Sequence, residues 1–510
     1  MGKIAGIDLG TTFSALSILN ENGKAEIVKN SDGDYLTSSV VAFPSDQEGK
    51  AIVGDDAKQH LALEPDRVIK EVKRDMGTDK TYAVAGKEHT PAGISSMILS
   101  KLFQDAEKQY GKIDSVVVTI PANFPEEARQ ATMTASKEAN INVQDIIEEP
   151  TAAAMHYAST NSLAGNIMIY DFGGGTFDIT IAKVDGKKIE CLTSQGDQRL
   201  GGTDIDRVIL EKLKESYKKE KNADLIKNNN KGLEYKYTFE AEKIKKALSK
   251  KEKHICPLEG DEGQIRVTIT RDEFEESIST LMSKIDSLID VALDELKLKE
   301  NDIANILLVG GSTRLPIVQK NILKRFNKDP LTGVNVDEAI ALGAALHAGK
   351  KADPQKLTAA QSEELKKIDL KTVCNFYFGT VIQKMNTERQ KPDDYNDTMI
   401  EKNTPLPCSK TKTFYTMYDG QESVQCTIKQ SVTEEHDPEY ANTIWEGFLE
   451  NLPPNRPAER PIEVTFSYDE NGMMKCKYKD VESNKELPVD LTIKGSSDSA
   501  GPSANDFTIE

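Results

Sequence analysis

Tryptophan occurs once in 510 residues, and all aromatic residues together make up 6%. Cysteine is as sparse. The six cysteines, Cys191, Cys256, Cys374, Cys408, Cys426 and Cys476, show no C-x-x-C spacing, so they read as neither a disulfide framework nor a zinc site. The six histidines show no ligand spacing either. Thiol catalysis and metal–histidine chemistry therefore drop out. No apolar run is long enough to cross a bilayer, and the first residues lack the pattern of a signal peptide. Positive charge is in deficit: 65 Lys and Arg stand against 83 Asp and Glu, a net charge of −18. That balance argues against non-specific binding to nucleic acid or anionic membrane, although residues 243–253 form a local basic run. These absences predict a cytoplasmic protein in a reducing compartment, with no nucleic-acid and no membrane partner.

What is present is ordinary for a globular chain: 38% hydrophobic and 29% charged residues, with a length suited to about three domains. Strand-like and helix-like segments alternate up to about residue 351, which implies an α/β architecture. Strands are expected at 115–120, 166–171 and 305–309. Helices are expected at 125–140, from Pro150 onward, and at 237–248. Two short apolar strand-like runs, Lys3 to Ile7 and Ile167 to Tyr170, lead into glycine-rich turns. The first is Asp8-Leu9-Gly10-Thr11-Thr12, and the second is Asp171-Phe172-Gly173-Gly174-Gly175-Thr176-Phe177-Asp178. Small residues at a strand exit let backbone N–H groups crowd round a phosphate, and hydroxyls add bonds. Each turn also offers an aspartate against which hydrated Mg²⁺ could sit. Asp8 and Asp171 lie 163 positions apart, so each half is of domain size, and a triphosphate gripped between two similar lobes is the natural expectation. Alone, Gly10-Thr11-Thr12 reads better as a plain β-hairpin. Three glycines leaving a buried strand are costly in chain entropy and harder to explain by packing. A third turn, Gly310-Gly311-Ser312-Thr313-Arg314 after 307–309, could bring backbone close to a flat ring, with Arg314 stacking on it. One such turn leaves a solvated arginine as the better reading; three favour a nucleotide cleft.

Composition changes after residue 350. Residues 350–367 are polar and lysine-rich and read as a linker or short surface helix. Beyond Ile368 the pattern is strand-like, at 376–378, 413–415, 424–428, 462–466 and 491–493, with Asp419-Gly420 and Asn471-Gly472 as hairpin turns. An all-β domain is expected there. The boundaries are 1–352 for the α/β domain, 353–370 for the linker, 371–495 for the β domain and 496–510 for a disordered tail rich in small polar residues.

The chain resembles the 70-kDa heat-shock chaperones of the DnaK type. The resemblance rests on Gly6-Ile7-Asp8-Leu9-Gly10-Thr11-Thr12, Val72-Lys73-Arg74, Thr119-Ile120-Pro121-Ala122-Asn123-Phe124, Glu149-Pro150-Thr151-Ala152-Ala153-Ala154, the Asp171 to Asp178 turn, Leu200-Gly201-Gly202, the Arg314 turn, Val336-Asp337-Glu338-Ala339 with Gly343-Ala344-Ala345, Glu401-Lys402-Asn403-Thr404-Pro405-Leu406-Pro407 and Glu463-Val464-Thr465-Phe466. It runs in order along almost the whole chain. It implies a two-lobed actin-like ATPase domain followed by a β-sandwich that binds extended segments of unfolded proteins, with ATP or ADP and Mg²⁺ as cofactors and K⁺ as a further candidate ion. By position, Asp8 and Asp171 would hold Mg²⁺ through waters. Thr11, Thr12 and Thr176 would touch phosphates or the attacking water, Lys73 would sit at the γ-phosphate, and Glu149 would order the water network. Gly10, Gly173, Gly174, Gly175, Gly201, Gly202, Gly311 and Ser312 would contact the nucleotide. Glu242, Lys245, Ser249, Arg314 and Asp337 would form the adenosine side. Pro121 and Arg129 would pass the nucleotide state to the β domain, where Phe414, Met417 and Val424 would line the peptide groove. Without the resemblance, Lys73 and the Glu242 helix read as solvated charge, Arg129 as a surface arginine, and Phe414 equally well as core.

Four departures from the family pattern carry expectations. The helical lid and acidic terminal tag are missing, so bound peptide should leave fast. The apolar linker is interrupted by Lys366 and Lys367, and burying them would be expensive. Glu148 and Asp145 replace Asn and a basic residue on a surface that helps meet J-domain co-chaperones. The stretches after Lys73 and Ser249 are short, so nucleotide exchange factor contacts cannot be carried over, and residues 386–397 look like an insertion. The leading expectation is an ATP-hydrolysing, stress-response peptide chaperone. The alternative is a nucleotide-binding co-chaperone or interaction module with little coupling between ATP and peptide. A sugar or acetate kinase on the same fold would leave the β domain without a purpose.

Overall fold

The computed structural model describes residues 3–227, 230–331, 334–386, 391–469, 474–489, 491 and 501–510. Short apolar runs, buried on both faces as parallel strands require, assemble into two sheets of one plan. In the first, Lys3–Asp8 runs parallel to Ile113–Ile120 and antiparallel to Phe13–Leu19, which pairs with Ala25–Ile27. In the second, Ala164–Phe172 runs parallel to Ile303–Val309 and antiparallel to Phe177–Asp185, which pairs with Lys188–Asp197. The repeat in the sequence is thus a repeat of sheet order. Each of these two turns is a genuine hairpin, so the plain reading of Gly10-Thr11-Thr12 as a β-hairpin holds.

The expected helices form as Glu126–Glu138, Glu149–Thr160 and Lys231–Leu248. Thr160 ends a helix whose alanines let it press against Ala339–Lys351 between the lobes. The approach is so close that a Cβ on Gly343 would stand 1.7 Å from the Ala152 carbonyl oxygen. Only glycine fits there.

The region after residue 371 forms two antiparallel four-stranded sheets. One contains Lys391–Ile400, Tyr377–Asn386, Val424–Ser431 and Asn442–Leu449; the other contains Cys408–Tyr415, Pro461–Tyr468, Met474–Asp480 and Lys485–Val489. Alternate residues of Pro461–Tyr468 are buried, and both sheets feed one core containing Phe378, Ile400, Ile428, Phe466 and Tyr478.

Several expectations need correction. Asp419-Gly420 is not a hairpin turn, because Cys408–Tyr415 and Val424–Ser431 belong to different sheets and the loop crosses between them. The presumed insertion at 386–397 lengthens a regular strand pair, with Lys391 opposite Asn386 and Asp397 opposite Thr380. In the linker, Leu365 and Ile368 are buried while Lys366 and Lys367 are exposed. The linker strand Asp369–Lys371 then pairs in parallel with Lys188–Asp197 at the edge of the second sheet. The lysines therefore cost nothing in burial. Residues 501–510 are not a disordered tail: Thr508–Ile509 pairs with Lys50–Val53 of the first lobe. Asn471-Gly472 and 492–493 lie outside the described residues. Among the described residues no helix is long and apolar enough to cross a membrane.

Candidate functional site

The turns after Asp8, Asp171 and Val309 meet in a cleft of about 1590 Å³ between the lobes. Backbone contacts bind them into one unit. The N–H groups of Gly202 and Thr203 donate to the carbonyls of Gly173 and Gly174 at 3.0 and 2.8 Å, and Ser312 Oγ donates to the Gly173 carbonyl at 2.8 Å. A Cβ on Gly174 would stand 1.6 Å from Thr12 Oγ1, so the turns of the two lobes touch across the cleft. Gly201 lies a layer behind, against the Gly174 carbonyl.

At the deepest point Lys73, only 4% exposed, is ion-paired with Glu149. Lys73 comes from a short 3-10 turn, Val72–Asp75, and Glu149 from the first turn of its helix. The solvated lysine that local sequence alone suggests is therefore wrong. Three buried aspartates stand beside the pair. Burial, then the Glu149 charge, lift Asp8 to about 7, against the pull of Lys73 and of a 3.0 Å hydrogen bond donated by Thr119. Burial and Glu149 likewise lift Asp178 to about 7, although Asn123 donates to it at 2.7 Å. Burial, with Glu149, Asp178 and Asp8, pushes Asp171 well above the ordinary carboxyl range. Asp171 Oδ2 and Thr12 Oγ1 are buried without a hydrogen-bond partner among the described residues. A surplus of buried carboxylate with unused acceptors fits a cation with its water shell. Among the described residues no group of three or more His, Cys, Asp or Glu is placed to chelate a metal directly.

On the opposite wall, Lys245 donates to the Gly202 carbonyl at 2.9 Å and pairs with Asp206 at 2.8 Å. Asp206 is lifted to about 6, chiefly by burial. Burial acts upward on Glu242 too, but Lys58 and Lys246 hold it below its ordinary value. Ser249 Oγ donates to the Lys245 carbonyl at the helix end. Arg314 is half exposed and braced by Asp337 at 2.7 Å.

Asp206 and Arg74 carry no assigned role in the sequence reading. Arg74 donates to the Gly175 carbonyl at 2.7 Å and pairs with Asp204, bridging the lobes. Its neighbour in sequence, Lys73, is the only local signal; the partner of Asp206 lies far along the chain and leaves none.

Pro121 and Arg129 are absent from the cleft. Arg129 is buried and donates to Glu148 at 2.7 Å. Asn375 of the β region donates to the same carboxylate at 2.9 Å and to the Ala122 carbonyl at 2.8 Å. Glu148 is therefore part of a domain contact, and Asp145 is buried against His347 and Lys351. Neither is the open surface residue expected. Phe414 and Val424 pack partly buried at the rim of the β core, and Met417 is 51% exposed on the loop between them.

Paired sheets of one plan, with turns closing on a deep cleft whose buried lysine and carboxylates face one point, define a two-lobed protein of the nucleotide-binding kind, joined here to a β-rich region. The Hsp70 protein family model matches residues 4–83 and 78–505. The chain belongs to the Hsp70 family, whose members are ATP-dependent chaperones.

Proposed function

We infer that this chain binds ATP in the interlobe cleft, hydrolyses it to ADP and phosphate, and uses the nucleotide state to set how tightly its β region, read as a β-sandwich, holds an extended peptide. The observation that carries this reading is the convergence of three glycine turns on the buried Lys73–Glu149 pair and on Asp8 and Asp171. In that arrangement the turn amides cradle the phosphates, and Thr11, Thr12 and Thr176 supply hydroxyls. Lys73 offsets the charge that develops as the terminal phosphate bond breaks, and Glu149 orients the attacking water. Mg²⁺, held through waters by Asp8 and Asp171, would neutralise phosphate charge. Gly201, Gly202, Gly311 and Ser312 support the backbone wall. Glu242, Lys245, Ser249, Arg314 and Asp337 hold the adenosine.

The peptide end of the reading rests on Phe414, Met417 and Val424, beside the exposed Tyr415 and Tyr418. Burying one leucine yields roughly 1.5–3 kcal/mol, while micromolar binding needs about 8 kcal/mol. Main-chain hydrogen bonds must therefore supply much of the affinity. The docked linker strand and the hydrogen bond from Asn375 to the Arg129–Glu148 pair support communication between the two parts, and J-domain and exchange-factor partners of the family kind are the partners this reading would call for.

The test is turnover. Purified protein should hydrolyse ATP slowly with Mg²⁺, and Lys73→Ala should abolish turnover by at least a hundredfold while nucleotide still binds. Unchanged turnover would defeat the assignment.

A further inference from the structure

An exposed sheet edge invites strand addition, and the outer face of the first lobe carries one at Lys50–Val53, which pairs on its other side with Val40–Ala42. The chain's own residues 508–510 cover it. Thr508 N donates to the Gly49 carbonyl at 3.0 Å, Glu510 N to the Ala51 carbonyl at 3.0 Å, and Val53 N to the Glu510 carbonyl at 2.8 Å. The side chains have places prepared for them. Ala504 is buried as part of the core of the first lobe, and Phe507 and Ile509 pack against that core. The Phe507 ring lies edge-on to Phe43 at 5.2 Å, with Lys87 Nζ 5.0 Å above it. Polar anchors fix the register. Ala504 N donates to the buried Ser96 Oγ at 2.9 Å. Asn505 donates to the Glu138 carbonyl at 2.9 Å and accepts from Asn140 at 2.5 Å. Lys50 pairs with Glu510 at 2.8 Å. The path also needs missing side chains: a Cβ on Gly93 would lie 2.5 Å from the Pro502 carbonyl oxygen, and one on Gly501 would lie 2.8 Å from that of Glu88.

We propose that this face is a second extended-peptide site, separate from the β region, and that residues 501–510 occupy it in cis as a strap. Backbone pairing, an aromatic pocket, a small-residue pocket and polar end contacts are the features by which β-strand addition gains affinity and selectivity. The geometric consequence concerns the whole chain. The β region leaves the second lobe through the linker strand Asp369–Lys371 and is fastened again to the first lobe by the strap. Eleven residues separate Val489 from Gly501, a leash of at most about 40 Å when fully extended. While the strap is seated, the β region cannot travel further from the first lobe than that.

Gly93 provides a probe that leaves the strap sequence intact. It lies in the first turn of the helix Pro91–Tyr110, where alanine is a better helix former than glycine, so Gly93→Ala should leave the lobe folded and eject the strap. Hydrogen exchange in the full chain should show the amides of Thr508, Glu510 and Val53 protected, and at least tenfold faster exchange in Gly93→Ala. A fluorescein-labelled peptide with the sequence of residues 501–510 should bind one-to-one to the chain lacking those residues. It should fail to bind the full chain, and fail to bind the shortened chain carrying Gly93→Ala. Equal exchange rates in the two proteins would overturn the proposal. So would absence of peptide binding to the shortened chain, or binding there that Gly93→Ala does not affect, since the peptide would then be held elsewhere. None of these readouts depends on ATP turnover.

Discussion

Asp8, Asp171, Asp178 and Glu149 share a buried patch with a single lysine, Lys73, and the charges do not cancel. Such a patch is a poor way to stabilise an empty fold and a good way to receive cations. A carboxyl raised by folding stabilises the fold fully below its unfolded value near 4, and that contribution is lost as pH rises through the folded value. For Asp8 and Asp178 the folded value is about 7. Nucleotide-free protein should therefore melt higher at pH 6 than at pH 8, by on the order of 1 kcal/mol for each group. Thermal melts at the two pH values check this, and saturating ADP with Mg²⁺ should flatten the difference. The same slope with and without ligand would show that the patch does not receive the cation. On the opposite wall, Asp206→Asn removes the charge that holds Lys245 against the Gly202 carbonyl. ADP affinity should fall about tenfold, or about 1.4 kcal/mol, by calorimetry. Undiminished affinity would mean that Lys245 is positioned without it.

Among the elements, the linker shows how burial pattern outranks composition. Two lysines in an apolar run predict a segment that cannot dock. Yet Leu365 and Ile368 are buried in the core with Leu370 packed against it, while the lysines point away, and Asp369–Lys371 adds to a sheet edge by backbone bonds, which composition does not govern. Lys366→Ala should leave stability within about 0.5 kcal/mol. Leu365→Ala should cost about 2–4 kcal/mol, because its methyl groups pack on Gly349 and leave a cavity. Chemical denaturation of the two variants separates the cases; equal effects would mean the linker is not docked in solution. Much else at this scale was legible beforehand. The strands at 115–120, 166–171 and 305–309 and the helices near 125–140, after Pro150 and at 237–248 follow from apolar periodicity and from proline and glycine at their ends, while elements such as Pro91–Tyr110 and Gly202–Lys221 are not among the expected ones. Asp419-Gly420 misled because a turn sequence fixes a local bend, not which sheet its flanking strands join. Lys73 misled for a similar reason: a charged residue in a charged stretch says nothing of Glu149, which meets it only after 76 positions of chain.

In the whole molecule, the two parts are joined by a buried polar seam as well as by the linker. Arg129, Glu148 and Asn375 form its centre. Tyr468 donates to Glu126 at 3.2 Å, and Lys402 pairs with Glu295 of the second lobe at 2.9 Å. Removing one partner of a buried pair strands the other charge, at a cost of about 3 kcal/mol or more. Arg129→Ala should therefore loosen the β region while the cleft remains intact. Small-angle scattering should report a larger radius of gyration, and ADP affinity should stay within a factor of two. An unchanged radius would place the cohesion elsewhere, in the linker strand or the strap.

The order of the three glycine turns, the repeat of two lobes and the switch to β pattern were fixed by the amino-acid order alone, because each depends on neighbours within a few positions. Which charges are buried, which turns touch, where Arg129 and Glu148 meet Asn375, and where residues 501–510 settle were decided only by the tertiary structure. Those contacts join residues from 19 to several hundred positions apart, and their energy comes from desolvation and edge pairing, which no local window of sequence contains.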